Sequence, residues 1–122
     1  EEPECGRCDY FSGGFDCCQK LLDSGEALPD AIIVESDMIA LGVLKSLVRR
    51  GIDVPENILL SGYDNTDISA MSNPSLTSVH IPLEEICLAA LNMLRAMMQG
   101  ETVLPVIFHT DLEIRTSTLP PK

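Results

Sequence analysis

Two short apolar runs flank a single amphipathic helix, and this arrangement narrows the fold more than any other feature of the chain. Ala31-Ile32-Ile33-Val34 is a continuous, largely β-branched run, the pattern of a strand buried on both faces of a parallel sheet. Glu35-Ser36-Asp37 ends it, and Ser36 or Asp37 can cap the helix that starts there. Met38, Leu41, Leu44, Leu47 and Val48 mark the apolar stripe of that helix, Arg49 and Arg50 lie near its carboxyl end, and Gly51 stops it. A second run, Ile58-Leu59-Leu60, lies within a strand expected over 57–62, followed by the polar loop Tyr63 to Asp67. Strand, helix and strand at such short separations form a βαβ unit, so the two strands should be parallel and the crossover right-handed. Both polar exits, 35–37 and 63–67, then fall on the carboxyl edge of one sheet, where open α/β sheets bind their ligands.

The flanking segments extend the pattern. Ser12-Gly13-Gly14 reads as a loop feeding a helix from Phe15 to Gly25. Leu76 to Ile81 reads as extended, and Pro82 opens a long helix whose apolar face includes Ile86, Ala90, Met93 and Met97, ended by Gly100. Val103 to Phe108 and Asp111 to Arg115 read as two further extended stretches.

The totals bound the function. At 122 residues the chain is one domain, and 45% apolar residues are enough for a core. No apolar run approaches the roughly 20 residues a membrane span needs, so no membrane partner is expected. A net charge of −11 with only 8 basic residues repels nucleic acid, because DNA affinity comes largely from lysine and arginine on phosphates. The five cysteines, Cys5, Cys8, Cys17, Cys18 and Cys87, are an odd number, which suits a reducing cytoplasm better than a secreted disulfide framework. The first four are spaced poorly for zinc and read as reactive thiols, and Cys87 reads as a small apolar filler. No metal and no cofactor is expected.

Several blocks carry a resemblance. Pro29 to Gly42, Val54 to Asn65, Leu76-Thr77-Ser78-Val79 followed by Pro82, and the closing Arg115-Thr116-Ser117-Thr118 resemble, in order and spacing, signature elements of the LacI/GalR family of transcriptional regulators. Each block is weak alone; together they are specific. The resemblance implies an α/β fold of the periplasmic-binding-protein-like type I, a three-layer parallel sheet flanked by helices, here incomplete. It implies that residues 10–78 and 103–118 belong to the C-terminal effector-binding subdomain. Residues 79–102 would form a crossover and helix belonging to the N-terminal subdomain, leaving an exposed apolar surface. The DNA-binding headpiece would lie outside this chain, so operator DNA is a partner only through that missing part.

The same resemblance suggests site residues. Asp64 follows the Gly-aromatic pair, where the family uses a carboxylate to accept hydrogen bonds from ligand hydroxyls, and an ionised carboxylate can accept two at once. The alternative is a turn aspartate serving local backbone amides. Ser36 stands where the family commonly has asparagine, a departure that alters the usual sugar contacts, whereas Asp37 is explained by helix capping. Tyr10 and Phe11 lie near the family's sugar-stacking aromatic, with a core role as the alternative. Ile81, with Leu83, falls at the cleft floor. Leu41, Leu44, Lys45 and Met71 would contribute to a homodimer interface, with core packing the alternative for Leu41. His80 and His109 are lone histidines, read as solvated or locally bonded.

The expected function is a ligand-binding and dimerising core that senses a small-molecule effector, a carbohydrate by the resemblance, in the cytoplasm. A periplasmic-type sugar-binding protein for transport shares the architecture, but the cysteines and the closing Arg115 segment stand against it. An enzyme is disfavoured: the chain has no nucleophile elbow, phosphate-binding loop, HExxH or dinucleotide loop.

Overall fold

The structure, a computed structural model, describes residues 11–119. Its elements run α1 (Phe11–Asp23), β1 (Ala31–Ile33), α2 (Asp37–Arg49), β2 (Leu59–Asp64), α3 (Asp67–Met71), β3 (Thr77–His80), α4 (Leu83–Met98) and β4 (Asp111–Glu113). The strands form one sheet in the order β1-β2-β3-β4. β1 pairs with β2 in parallel, β2 with β3 in parallel, and β4 returns antiparallel to β3. This is a predominantly parallel α/β sheet flanked by helices, as the βαβ pattern predicts, and made mixed by the antiparallel β4, which that pattern does not predict.

Helices α1 and α2 cross closely, and both cover one face of the sheet. The contact depends on residues without side chains. A Cβ on Gly42 would lie 2.0 Å from the Phe11 carbonyl oxygen, and one on Gly14 would lie 2.2 Å from that of Ile39. Ser12-Gly13-Gly14 is therefore the first turn of α1, not the loop its composition suggests; close helix packing outweighs the low intrinsic helix propensity of glycine. At the other end of the crossing, Arg50 donates to the side-chain oxygens of Gln19 and Asp23, and Gln19 Nε2 donates to Ser46 Oγ at 2.7 Å.

Beneath the helices lies the core, with Leu47, Leu60 and Leu76 fully buried and Val43 and Ile58 beside them. Burying each such side chain contributes about 1.5–3 kcal/mol. The opposite face of the sheet is open among the described residues. Ile33 is 84% exposed and Leu59, Leu112 and Ile114 are also exposed, so β1 is not buried on both faces as its composition suggests.

Further differences are local. β2 begins two residues later than expected and carries its pairing through to Asp64. Thr66 opens a five-residue helix, α3, that apolar periodicity does not signal. Residues 103–108 join no strand. None of the 16 residues of α4 is buried, and Leu88, Leu91 and Leu94 are exposed along it. Cys17 is disulfide-bonded rather than a free thiol. Cys18 is free and buried, and Cys87 is free but exposed on α4 rather than filling a core. Among the described residues, no helix is long and apolar enough to cross a membrane, and no group of three His, Cys, Asp or Glu side chains could hold a metal ion.

Candidate functional site

The site is built where β1 and β2 end. Val34 N donates to Ser61 O at 3.0 Å, extending the parallel ladder, and within the next three residues of each strand stand Glu35-Ser36-Asp37 and Asp64. The chain leaves β1 through Ser36, whose extended backbone and side-chain oxygen, accepting from Met38 N at 3.3 Å, cap α2. Ser36 is thus the capping residue, and Asp37 is not.

Asp37 has a different role. It is the first residue of α2, wholly buried, and its carboxylate reaches the loop after β2 and strand β3. Oδ2 accepts from Thr66 N at 2.7 Å and Thr66 Oγ1 at 2.8 Å, and Oδ1 accepts from Ser78 Oγ at 2.6 Å. Three short donors satisfy the buried carboxylate. Gly62 makes room for it: a Cβ there would lie 2.4 Å from Asp37 Oδ1. Ser78 Oγ in turn accepts from Asn65 N at 3.0 Å, so the loop after β2 is tied from below at two consecutive residues, Asn65 and Thr66.

That loop adopts an unusual conformation. Asp64 has φ 102° and Asn65 φ 53°, the left-handed region, where a residue with a Cβ carries strain of about 1–3 kcal/mol. Asp64 is exposed at the end of β2, opposite His80 in the β2–β3 register. Together with Asn65, Thr66, His80, Ile81 and the first turn of α4, it lines a cavity of about 770 Å³.

The closing segment completes the support. Arg115 Nη1 donates to Leu76 O at 2.7 Å and Ser69 Oγ at 3.2 Å, and Nη2 donates to Asn65 Oδ1. Two residues on, the buried Ser117 donates to Leu60 O at 2.6 Å and accepts from Thr77 N at 2.8 Å, joining β2 to β3.

The candidate residues therefore separate into two places. Asp64 and Ile81 line one cavity, and Ser36 stands at the same edge of the sheet. Phe11 does not join them. As the first residue of α1, fixed against Gly42, it faces a groove of about 420 Å³ with Leu41, Leu44, Lys45, Ile68 and Met71. Leu44 in that groove is 6% exposed and belongs to the core, Leu41 is half-buried, and Lys45 and Met71 are exposed. Tyr10 lies outside the described residues. Asn65, Thr66 and Arg115 hold the loop; in the sequence they are marked only by their place in the Tyr63 to Asp67 loop and the closing Arg115-Thr116-Ser117-Thr118 block.

An open α/β sheet with a strained, polar loop at its carboxyl edge defines a ligand-binding class of fold, and the comparisons identify which one. Residues 8–118 match the sequence pattern of the periplasmic binding protein-like domain. The chain belongs to that family, in the form that serves as the effector-binding part of LacI/GalR-type transcriptional regulators. It is 39% identical over 113 residues to catabolite control protein A of Priestia megaterium, covering 90% of this chain and 34% of that protein. It is 34% identical over 99 residues to the ribose operon repressor of Escherichia coli strain K12, covering 81% of this chain and 26% of that one. Among solved structures, a complex of the transcriptional regulator CelR with cellobiose superposes with a TM-score of 0.82 at 31% identity, covering 89% of this chain and 34% of that one. The chain thus spans between a quarter and about a third of the length of these relatives. The relatives are regulators, not enzymes.

Proposed function

We propose that this chain forms the sensing and dimerising part of a cytoplasmic transcriptional regulator. Its cavity at the carboxyl edge of the sheet takes a small polyhydroxylated effector, a sugar, and Asp64 is the principal polar contact. The observation that carries this reading is the placement of an exposed carboxylate on a strained loop at the rim of a cavity of about 770 Å³. An ionised carboxylate accepts two adjacent hydroxyl donors, and the apolar Ile81 on the same wall suits the C–H face of a sugar ring. The cellobiose held by the regulator CelR and the ribose in the name of the E. coli repressor support the ligand class.

In this reading, residues 79–102 and α4 belong to the N-terminal subdomain, whose exposed leucines meet partners outside this chain. Leu41, Lys45 and Met71 lie on the face where two copies of the regulator meet. Effector binding changes the relation between the subdomains and, through the dimer, the grip of a separate DNA-binding headpiece on its operator. The acidic surface of this chain takes no direct part in binding DNA.

A thermal-shift screen of sugars and nucleosides on the complete regulator tests the site. A ligand that stabilises the wild type but not Asp64→Ala supports the assignment. Equal stabilisation of both proteins removes Asp64 from the site.

A further inference from the structure

We infer that Asn65 is a positioning residue for Asp64, and that its hold depends on His80 being neutral with its proton on Nε2. The inference rests on the reading of Asp64 as the ligand contact.

The geometry leaves the amide one orientation. Arg115 Nη2 lies against the side-chain oxygen of Asn65, and a guanidinium has donors only. The atom facing it must be Oδ1, so Nδ2 faces the other way. There it meets His80 Nδ1 at 3.1 Å. An amide NH₂ has donors only, so Nδ1 must accept, and the ring proton sits on Nε2. One side chain thus reads a charged donor on one side and fixes a tautomer on the other.

The two partners stand at or just past the ends of the two strands that flank α4 in the chain, β3 and β4. His80 is the last residue of β3, directly before Ile81-Pro82 and α4, and Arg115 follows β4, the returning strand. Asn65 is bonded to both, and its own backbone is pinned to Ser78 Oγ at 3.0 Å. Asp64, at φ 102°, is the adjacent residue. A strained conformation persists only where its surroundings over-determine it, and here Asn65 supplies that constraint.

A second proton on His80 turns Nδ1 into a donor facing the NH₂ of Asn65. The amide cannot turn over, because that would set its NH₂ against Arg115. The hold is therefore present with a neutral ring protonated on Nε2 and lost with a charged one. The other charged groups around the ring are Asp64, Asp67 from α3, Glu84 and Glu85 from α4, Asp111 opposite it on β4, and Arg115 through Asn65. His80→Asn places an amide oxygen where Nδ1 stands and so keeps the acceptor.

The test uses the complete regulator with ¹⁵N-labelled histidine and asparagine. Long-range ¹H–¹⁵N NMR is expected to show the neutral His80 ring protonated at Nε2. A proton on Nδ1 overturns the inference whatever the ligand. D-ribose, D-glucose and cellobiose are then titrated into the regulator. For a sugar that binds, Asn65→Ala weakens affinity on the order of tenfold, the loss of one charge-assisted hydrogen bond. His80→Asn, which keeps an acceptor facing the Asn65 amide, retains affinity, and His80→Ala, which removes it, does not. Unchanged affinity in Asn65→Ala or in His80→Ala overturns the positioning role while the site reading stands. Unchanged affinity in Asp64→Ala overturns the site reading itself, and the tautomer remains a separate result. If none of the three sugars binds, the tautomer alone decides.

Discussion

Gly62 and Asp37 are paired across the sheet: the buried carboxylate of Asp37 occupies the space where any side chain at position 62 would begin, 2.4 Å from its Oδ1. The glycine in the Gly62-Tyr63-Asp64 block is thus a consequence of an aspartate 25 positions earlier, at the start of a different element. Placing Asp37 there supplies acceptors to Thr66 and Ser78, and through them sets the loop that carries Asp64.

Gly62→Ala should therefore push Asp37 off its three donors. A loss of about 2–4 kcal/mol is expected, the range for disrupting a buried hydrogen-bonded charge. Urea denaturation of the intact protein measures it. A change below about 0.5 kcal/mol, the range of ordinary surface substitutions, would contradict the packing described.

Asp37→Ala removes the acceptor and leaves Thr66 N and Ser78 Oγ without it. A comparable loss, about 2–4 kcal/mol, is expected. The double variant Gly62→Ala/Asp37→Ala should cost less than the sum of the two, because the methyl group at position 62 no longer meets a carboxylate. Strict additivity in the double-mutant cycle would show that the two residues do not interact.

The thiols should separate by chemistry. Burial raises the Cys18 thiol above its ordinary value of 9.0, against smaller opposing effects of a hydrogen bond with Ser46 and the charge of Arg50. In the unfolded chain Cys18 ionises at the lower, ordinary pH. Its contribution to stability is therefore intact below about pH 9 and declines as pH rises from there toward the folded value. Cys87, exposed on α4, should be alkylated by iodoacetamide well before Cys18. Mass spectrometry of timed digests reads the order, and equal rates would place Cys18 outside the core.

Met71, 82% exposed beside Leu41 and Lys45 in the groove under α3, lies on the proposed dimer face. Met71→Asp should shift the regulator toward monomer in sedimentation velocity while leaving its melting temperature nearly unchanged. An unaltered dimer would move the interface elsewhere.

Some of this was legible in the residues. The run Ala31 to Val34, its polar exit and Gly51 are local signals, so β1, α2, β2 and their parallel pairing follow from spacing alone. The position of Asp64 at the carboxyl edge follows from the same pattern. What could not be read depends on distant partners. Asp37 has the profile of a capping residue, and only the folded chain shows that its acceptors serve residues 29 and 41 positions away. Ser12-Gly13-Gly14 has the composition of a loop and becomes helix because α2 passes too close for larger side chains. Phe11, an expected ligand contact, follows that same crossing to the other groove. Five-residue α3 is too short to generate a period.

Ser117 closes a gap between strands laid down long before it, bonding Leu60, 57 positions earlier, and Thr77, 40 positions earlier. A nascent chain emerging from the ribosome holds β2 and β3 with the Leu60 carbonyl and the Leu60 and Thr77 amides still open until this serine arrives. The parallel pair thus stays unfinished until the 40 residues after Thr77 have been made, and a transcript cut just short of the Ser117 codon would yield a sheet with dry, unanswered donors and an acceptor at its centre.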